Sequence, residues 1–189
     1  MLILIGPSAS GKTESAKIMI NRYPISRVVT FTTRKQRVNE IDGFDYHFVS
    51  KSKFSQLKKS GFFVETTTYN DYFYGTPKNE VADDKFIILE PKGLKSFYEN
   101  SDCTIVAIYL KTKENVRRKR MRQRHDKPED IKKRILADRK EFDLKKIDGL
   151  DLIIDTTNIT LSDLADQIYH KYYEILEKKK INGKQLSLF

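Results

Sequence analysis

The segment GPSASGKT, Gly6 to Thr13, constrains this chain more than any other feature, because an apolar run, Met1 to Ile5, leads into it and a helix-compatible stretch, Glu14 to Arg22, follows. It fits the pattern G-x-x-x-x-G-K-[ST]. In a strand–loop–helix setting the glycines let backbone N–H groups turn inward around a polyphosphate, and the helix N-terminus adds partial positive charge at the same point. Gly6, Pro7, Ser8, Ala9, Ser10, Gly11, Lys12 and Thr13 are thus read as a nucleoside triphosphate cradle. Lys12 would hold the β- and γ-phosphates, and the Thr13 hydroxyl would ligate Mg²⁺.

A loop of this kind needs a parallel sheet behind it, and the rest of the sequence supplies one. Apolar, strand-like runs recur at Leu2–Ile5, Phe86–Leu89, Thr104–Leu110 and Leu150–Ile154, and the segments between them are long enough for helices. The pattern predicts helices after Gly11, around Lys92–Tyr98, from Glu114 to about Arg124, from Glu129 to about Lys146 and from Leu161 to about Lys178, with Thr112 and Thr160 as caps. Such alternation implies an α/β fold in three layers, a central parallel sheet covered on both faces. From about Thr32 to Pro77 the texture changes to short β-like pieces rich in Thr, Tyr and Phe, broken at Asp42-Gly43 and by a short helix, Lys51 to Lys59, that stops at Gly61. This is the signature of an inserted subdomain.

Bulk composition narrows the class. With 189 residues, 39% hydrophobic and 33% charged, the chain suits one globular α/β domain with small insertions. No stretch approaches the ~20 apolar residues needed to span a bilayer, so no membrane association is expected. The lone cysteine, Cys103, excludes an internal disulfide framework, fits a reducing cytoplasm, and is expected at a core strand position beside Thr104–Leu110. A net charge of +10 calls for anionic partners. Much of it lies in NVRRKRMRQRHDKPEDIKKRILADRK, where interspersed acids suggest helix faces, and no nucleic-acid-reading motif accompanies it. His47 and His125 have no metal-ligand pattern around them, and His170 falls on the last expected helix.

The segment TFTTRKQRVNEIDGFDYHFVSKSKFSQLKKSGFFVETTTYNDYFYGTP resembles the nucleotide-acceptor domain of the guanylate kinase family. There the pattern runs S-x-T-T-R-x-x-R-x-x-E-x-x-G-x-D-Y-x-F-V-S, then F-x-E, then Y-Y-G-[ST], so that Arg34, Arg37, Glu40, Gly43, Asp45, Tyr46, Phe48, Val49, Ser50, Glu65, Tyr74, Gly75 and Thr76 fall into place. The resemblance covers nearly the whole chain, more loosely in its C-terminal third. It implies a P-loop NTPase core (1–31, 78–116 and 135–178), a GMP-binding subdomain at 32–77, a helical lid at 117–134, a tail at 179–189, and transfer of the γ-phosphoryl group of ATP to GMP or dGMP with Mg²⁺. The chain would act as a monomer or a homodimer.

Under that resemblance Arg34, Arg37, Tyr46 and Tyr74 grip the acceptor phosphate with forked and directional hydrogen bonds. Glu65 accepts from guanine N1–H and the exocyclic amine together, a pattern adenine does not present. Thr30 and Thr76 add contacts to the base oxygen. Arg120, Arg124 and Arg134 match lid arginines that close over ATP, and with Lys12 and Arg34 they form the catalytic set. Arg117, Arg118, Arg122 and Arg139 have less definite counterparts and are read as a solvated face.

Two departures stand out. Where the family has D-[IV]-D-x-x-G this chain has ILEPKG, so Ile88 replaces the first acid and Glu90 stands at the second, near the guanine amine or ribose. The missing carboxylate implies altered magnesium handling. In IIDTTN, Asp155 stands nearest to the family's asparagine on the adenine side. These substitutions keep two alternatives open, a weak or inactive guanylate-kinase-like binding module and a related kinase of a sugar phosphate or another monophosphate, and the net charge with the arginine-rich helix motivates a third, a nucleic-acid module. The intact loop argues against the first, and the retained Arg34, Arg37, Tyr46, Glu65 and Tyr74 argue against the second. The last five residues, QLSLF, resemble the peptide by which bacterial replication proteins dock on the sliding clamp, with Gln185, Leu186, Leu188 and Phe189 as anchors.

Overall fold

The computed structural model describes residues 1–69 and 71–186, with side chains omitted at 69 and 183–186. Its central sheet contains β1 (Leu2–Ile5), β2 (Ser26–Arg27), β7 (Lys85–Ile88), β8 (Val106–Lys111) and β9 (Leu152–Asp155), in the order β2-β7-β1-β8-β9. All pairings in it are parallel. Parallel strands require crossovers, and helices supply them: α1 (Lys12–Arg22), α3 (Pro91–Asn100), α4 (Glu114–Gln123), α5 (Pro128–Glu141) and α6 (Leu161–Leu186).

Alternation along β1 divides the core in two. Leu2 and Leu4 face α1 and α6, where they meet Met19, Leu164, Ile168 and Tyr172. Met1, Ile3 and Ile5 face the other way, onto Leu94 and Phe97 of α3. The strand β8 repeats the division, with Val106, Ile108 and Leu110 on one side and Ala107 and Tyr109 on the other. Because β1 is buried on both faces it reads as an unbroken apolar run. At about 1.5–3 kcal/mol per large side chain removed from water, these two cores dominate the favourable side of folding.

The second sheet is mixed. It comprises β3 (Phe31–Thr32), β4 (His47–Phe48), β5 (Phe63–Tyr69) and β6 (Tyr72–Pro77), ordered β4-β3-β6-β5, with α2 (Lys51–Lys59) packed on it. Ser50 caps α2, its hydroxyl accepting from Lys53 N–H at 3.1 Å. Aromatic rings fill the small core, Phe54 stacking on Phe63 at 4.7 Å. They leave no room at Gly75, where a Cβ would lie 2.9 Å from the Phe63 ring.

Element types follow the sequence reading, and several boundaries do not. The helix expected to run to Lys146 ends at Glu141, and a separate 3-10 turn spans Leu144–Lys146. Asp143 starts that turn by accepting from Lys145 N–H at 3.1 Å, while Phe142 turns inward against the second core. Thr112 does not cap α4. Lys113 occupies that position, and the Thr112 hydroxyl is buried against Thr156 at 2.5 Å. Thr160 does cap α6, accepting from Asp163 N–H at 3.1 Å. That last helix continues to Leu186 instead of stopping near Lys178. Lys179 anchors the extension, bonding Ile105 O at 2.7 Å and the Asp151 carboxylate at 2.8 Å. Cys103 sits in a bend ahead of β8 instead of within the strand. Residues 187–189 of the QLSLF terminus lie outside the described residues.

Candidate active site

The site gathers at the carboxyl ends of the parallel strands, where an open α/β sheet presents loops and helix N-termini to a ligand. The phosphate loop emerges from β1 and bends back under β8. Gly6 has φ +149°, and a Cβ there would come 2.5 Å from Leu110 O, so the approach of the β8 backbone demands glycine. Gly11, φ +104°, turns the chain into α1. Ala9 holds a left-handed φ of 61° without being glycine, and its methyl packs on Met121, Ile131 and Ile135. The loop is braced from behind by Thr156, whose hydroxyl donates to Ser10 O at 2.9 Å.

Lys12 curls into the loop. Its ammonium donates to Gly6 O, to Pro7 O at 2.9 Å and to Ser10 Oγ at 3.5 Å. Burial lowers its pKa to about 8, partly opposed by the Asp138 carboxylate. An ammonium held this reluctantly gains most from the arrival of a polyanion. Thr13 follows in the first turn of α1, exposed.

The arginines of α4 and α5 divide into different roles. Arg120 belongs to the loop, donating to Ala9 O at 3.2 Å and Thr156 O at 2.7 Å. Arg124 and Arg134 meet across Asp126, at 2.9 Å and 3.6 Å, and are about half exposed. Arg118 and Arg139 both bond Glu114, whose pKa they hold down near 2, and Arg122 is exposed, as a solvated face requires. Arg117 contradicts that reading. Its side chain is 6% exposed and pairs with Asp138, 7% exposed, at 2.5 Å. Asp138 in turn accepts from Ser8 N–H and from the Ser8 hydroxyl, each at 3.1 Å, which ties both helices to the loop. The reason is positional: Arg117 and Met121 are one turn apart on the inward face of α4.

A cleft of about 310 Å³ lies between the second sheet and the ends of β7 and α3. Thr30, Tyr46, Glu65, Tyr74 and Glu90, all among the residues the sequence suggested for the acceptor, line it together. Glu65 is 8% exposed, and burial raises its pKa. Thr76 stands behind it, fully buried, donating to Glu65 Oε1 at 2.7 Å, so Thr76 holds the carboxylate in place instead of lining the cleft. Arg34 forks onto Glu40, at 2.9 and 2.6 Å, and its guanidinium lies 5.4 Å from the Tyr46 ring centroid. Arg37 is exposed, its N–H donating to Glu40 Oε2 at 2.9 Å. Ile88 lines the cleft as hydrocarbon.

Three further charged lining residues, Arg27, Lys92 and Glu141, escaped sequence reasoning. Glu141 ends α5 close to Glu90, and burial together with Glu90 raises its pKa. Nothing in the alternating charges of α5 distinguishes it, or Asp138, from its solvated neighbours. Arg27 carried a faint signal as the one cation inside ISRVVTF.

A second recess beyond β9 is lined by Lys113, Asp155, Thr157, Asn158 and Ile159. Asp155 closes a tight turn there, accepting from Thr157 N–H at 2.8 Å.

Comparison with known proteins agrees with this architecture. The sequence model of the guanylate kinase family matches residues 1–179. Guanylate kinase from Rickettsia felis is 31% identical over 186 residues, 93% of this chain and 92% of that protein. The Paramagnetospirillum magneticum guanylate kinase is 31% identical over 144 residues, 71% of this chain and 67% of that protein. Among solved structures, guanylate kinase from Anaplasma phagocytophilum superposes with a TM-score of 0.66 at 22% identity, covering 93% of this chain and 85% of the other, a likeness of fold.

Proposed function

The chain belongs to the guanylate kinase family, ATP-dependent nucleoside-monophosphate kinases, and from that membership we propose how its residues divide the transfer of the γ-phosphoryl group of ATP to GMP or dGMP. Residues 6–13 cradle the triphosphate, with Lys12 on the transferring group. The 32–77 subdomain receives the acceptor, 117–134 closes as a lid, and 1–31, 78–116 and 135–178 form the core that carries both, while of the expected tail, 179–189, residues 179–186 continue α6.

The observation that carries the assignment is the buried Glu65 carboxylate, oriented by Thr76, facing a cleft whose Glu90 lies near enough to act on the Lys12 charge. A desolvated carboxylate without a basic partner is costly, and a base offering two adjacent N–H donors relieves that cost. Guanine offers them and adenine does not. Thr30 and Glu90 stand along the same wall for the base and sugar, while Tyr46, Tyr74, Arg34 and Arg37 are assigned to the phosphate. Arg120, Arg124 and Arg134 come from the lid side and neutralise charge as the phosphoryl group passes in line between donor and acceptor. No covalent nucleophile is involved.

Mg²⁺ enters with ATP as part of the substrate. The exposed Thr13 hydroxyl, beside Lys12, is the protein group suited to ligate it, whereas Ile88 offers nothing. Loss of a carboxylate at Ile88 is also what favours the second reading, a domain that binds both nucleotides and transfers slowly.

An ADP-release assay with ATP and Mg²⁺, offering GMP, dGMP, AMP, UMP and CMP in turn and Lys12→Ala as control, separates the readings. Turnover with the guanine nucleotides alone, lost in the variant, supports the kinase. Binding without turnover supports the second reading. No helix among the described residues is long and apolar enough to cross a membrane, and a cytoplasmic site of action is proposed. For the terminus, Gln185–Phe189 is proposed as a sliding-clamp docking peptide. A synthetic peptide ending in QLSLF should bind a bacterial clamp, and absence of binding would remove the idea.

A further inference from the structure

We infer that Arg27 is an additional acceptor-binding residue, supplying to the monophosphate of the nucleotide a cation that Arg34 cannot supply alone. The inference rests on the reading of this cleft as the acceptor site. Charge comes first. The cleft is lined by three carboxylates, Glu65, Glu90 and Glu141, against two cations, Arg27 and Lys92. A dianionic phosphate therefore needs local positive charge to overcome an acidic surround. Arg34 is poorly placed to provide it by itself. Both of its terminal nitrogens are committed to the Glu40 carboxylate, and one also donates to Lys35 O at 2.8 Å. Its charge is thus balanced before any ligand arrives.

Arg27 is in the opposite condition. No carboxylate among the described residues lies within ion-pair distance of it, and it is exposed in the cleft wall. Its guanidinium stands 5.7 Å from the centroid of the Tyr46 ring, the ring that also carries Arg34 at 5.4 Å. That stacking orients the fork without consuming its N–H donors. Tyr46 meets Tyr74 at 6.1 Å, so the cation sits at the tyrosine end of the cleft, apart from the Glu65–Thr76 pair assigned to the base. The backbone there is paired into the central sheet. The strand β2 is hydrogen bonded to β7 through Ser26 N–H to Asp84 O at 2.8 Å and Val28 N–H to Phe86 O at 2.9 Å, which places a forked donor on the edge of the core sheet instead of on a loop.

The test measures binding of GMP and of guanosine to the full chain by calorimetry, for the wild type, Arg27→Ala and Arg27→Lys, together with steady-state KM values for both substrates. Loss of a charge-assisted contact predicts GMP binding weaker by about ten- to a hundredfold in Arg27→Ala. Guanosine binding and KM for ATP should not move, and Lys should restore part of the loss. Parallel weakening of GMP and guanosine would overturn the inference and leave Arg27 a packing residue for Tyr46. Unchanged GMP binding would overturn it as well. A wild-type protein that binds neither ligand would instead overturn the acceptor reading on which the inference stands.

Discussion

Replacing Asp138 by alanine should unfold this protein more readily than its modest change in volume suggests, because it would strand a buried guanidinium. The pair Arg117–Asp138 is 6% and 7% exposed, at 2.5 Å, and Arg117 Nε already has no hydrogen-bond partner. Removing one member of a buried ion pair costs about 3–5 kcal/mol, most of it the uncompensated charge left behind. For a chain of this size each kcal/mol moves Tm by roughly 2–4 °C, so a fall of about 10 °C is expected. Removing the charge as well, with Arg117→Leu added to Asp138→Ala, should recover most of the loss. A residual of about 1 kcal/mol would remain for the Ser8 N–H and hydroxyl, which are half-buried and which water can reach. Urea denaturation of wild type, both single variants and the double gives the coupling energy directly. A loss below about 1 kcal/mol in Asp138→Ala, or a double variant as unstable as the sum of its parts, would refute the account of a stranded charge.

Further outcomes follow from the site and from the core of the second sheet. Glu65→Gln should lower kcat/KM for GMP by about a hundredfold, since an amide can accept only one of guanine's two donors. Because burial raises the Glu65 pKa, wild-type GMP affinity should decline on the acid side at a pH above the ordinary carboxylate range, and a Gln variant with the same acid limb would exclude Glu65 as its source. For Lys12, whose pKa is lowered to about 8 from 10.5, the unfolded chain binds more protons between those values, so stability of the nucleotide-free protein should rise with pH across that window. Nucleotide phosphates stabilise the ammonium, so binding near pH 9 should take up a proton. Calorimetry in buffers of different ionisation heat detects this, and no uptake, or equal uptake in Lys12→Met, contradicts it. Gly75→Ala should cost about 1–3 kcal/mol by thermal denaturation, because its Cβ would meet the Phe63 and Phe54 rings at 2.9–3.0 Å. A neutral effect would mean that the aromatic core of the second sheet yields more easily than its packing implies.

Local chemistry was legible from residue order. The loop GPSASGKT, the apolar strands before and after it and the interrupted β texture of 32–77 each follow from short-range rules: glycine conformations, burial periodicity and turn residues. The pairing of Arg34 with Glu40 was not among these readings, and the structure supplied it. What the sequence could not show is which charges lose their water. In α4 and α5, Arg117, Arg118, Arg122, Asp138, Arg139 and Glu141 are equivalent letters in a run of alternating sign. Only docking of those helices on the phosphate loop buries Arg117 and Asp138 while leaving Arg122 and Arg139 outside. The same holds for Arg27, an edge-strand cation until the second sheet brings Tyr46 against it. It holds too for Thr76, which serves Glu65 because antiparallel pairing of β5 and β6 sets the two residues opposite each other. Desolvation is a property of what surrounds a side chain, and those surroundings come from residues far away in the chain. The sequence therefore determined the fold class and the glycine-rich loop after β1, and the tertiary structure decided which of its many charges are buried and which line the cleft.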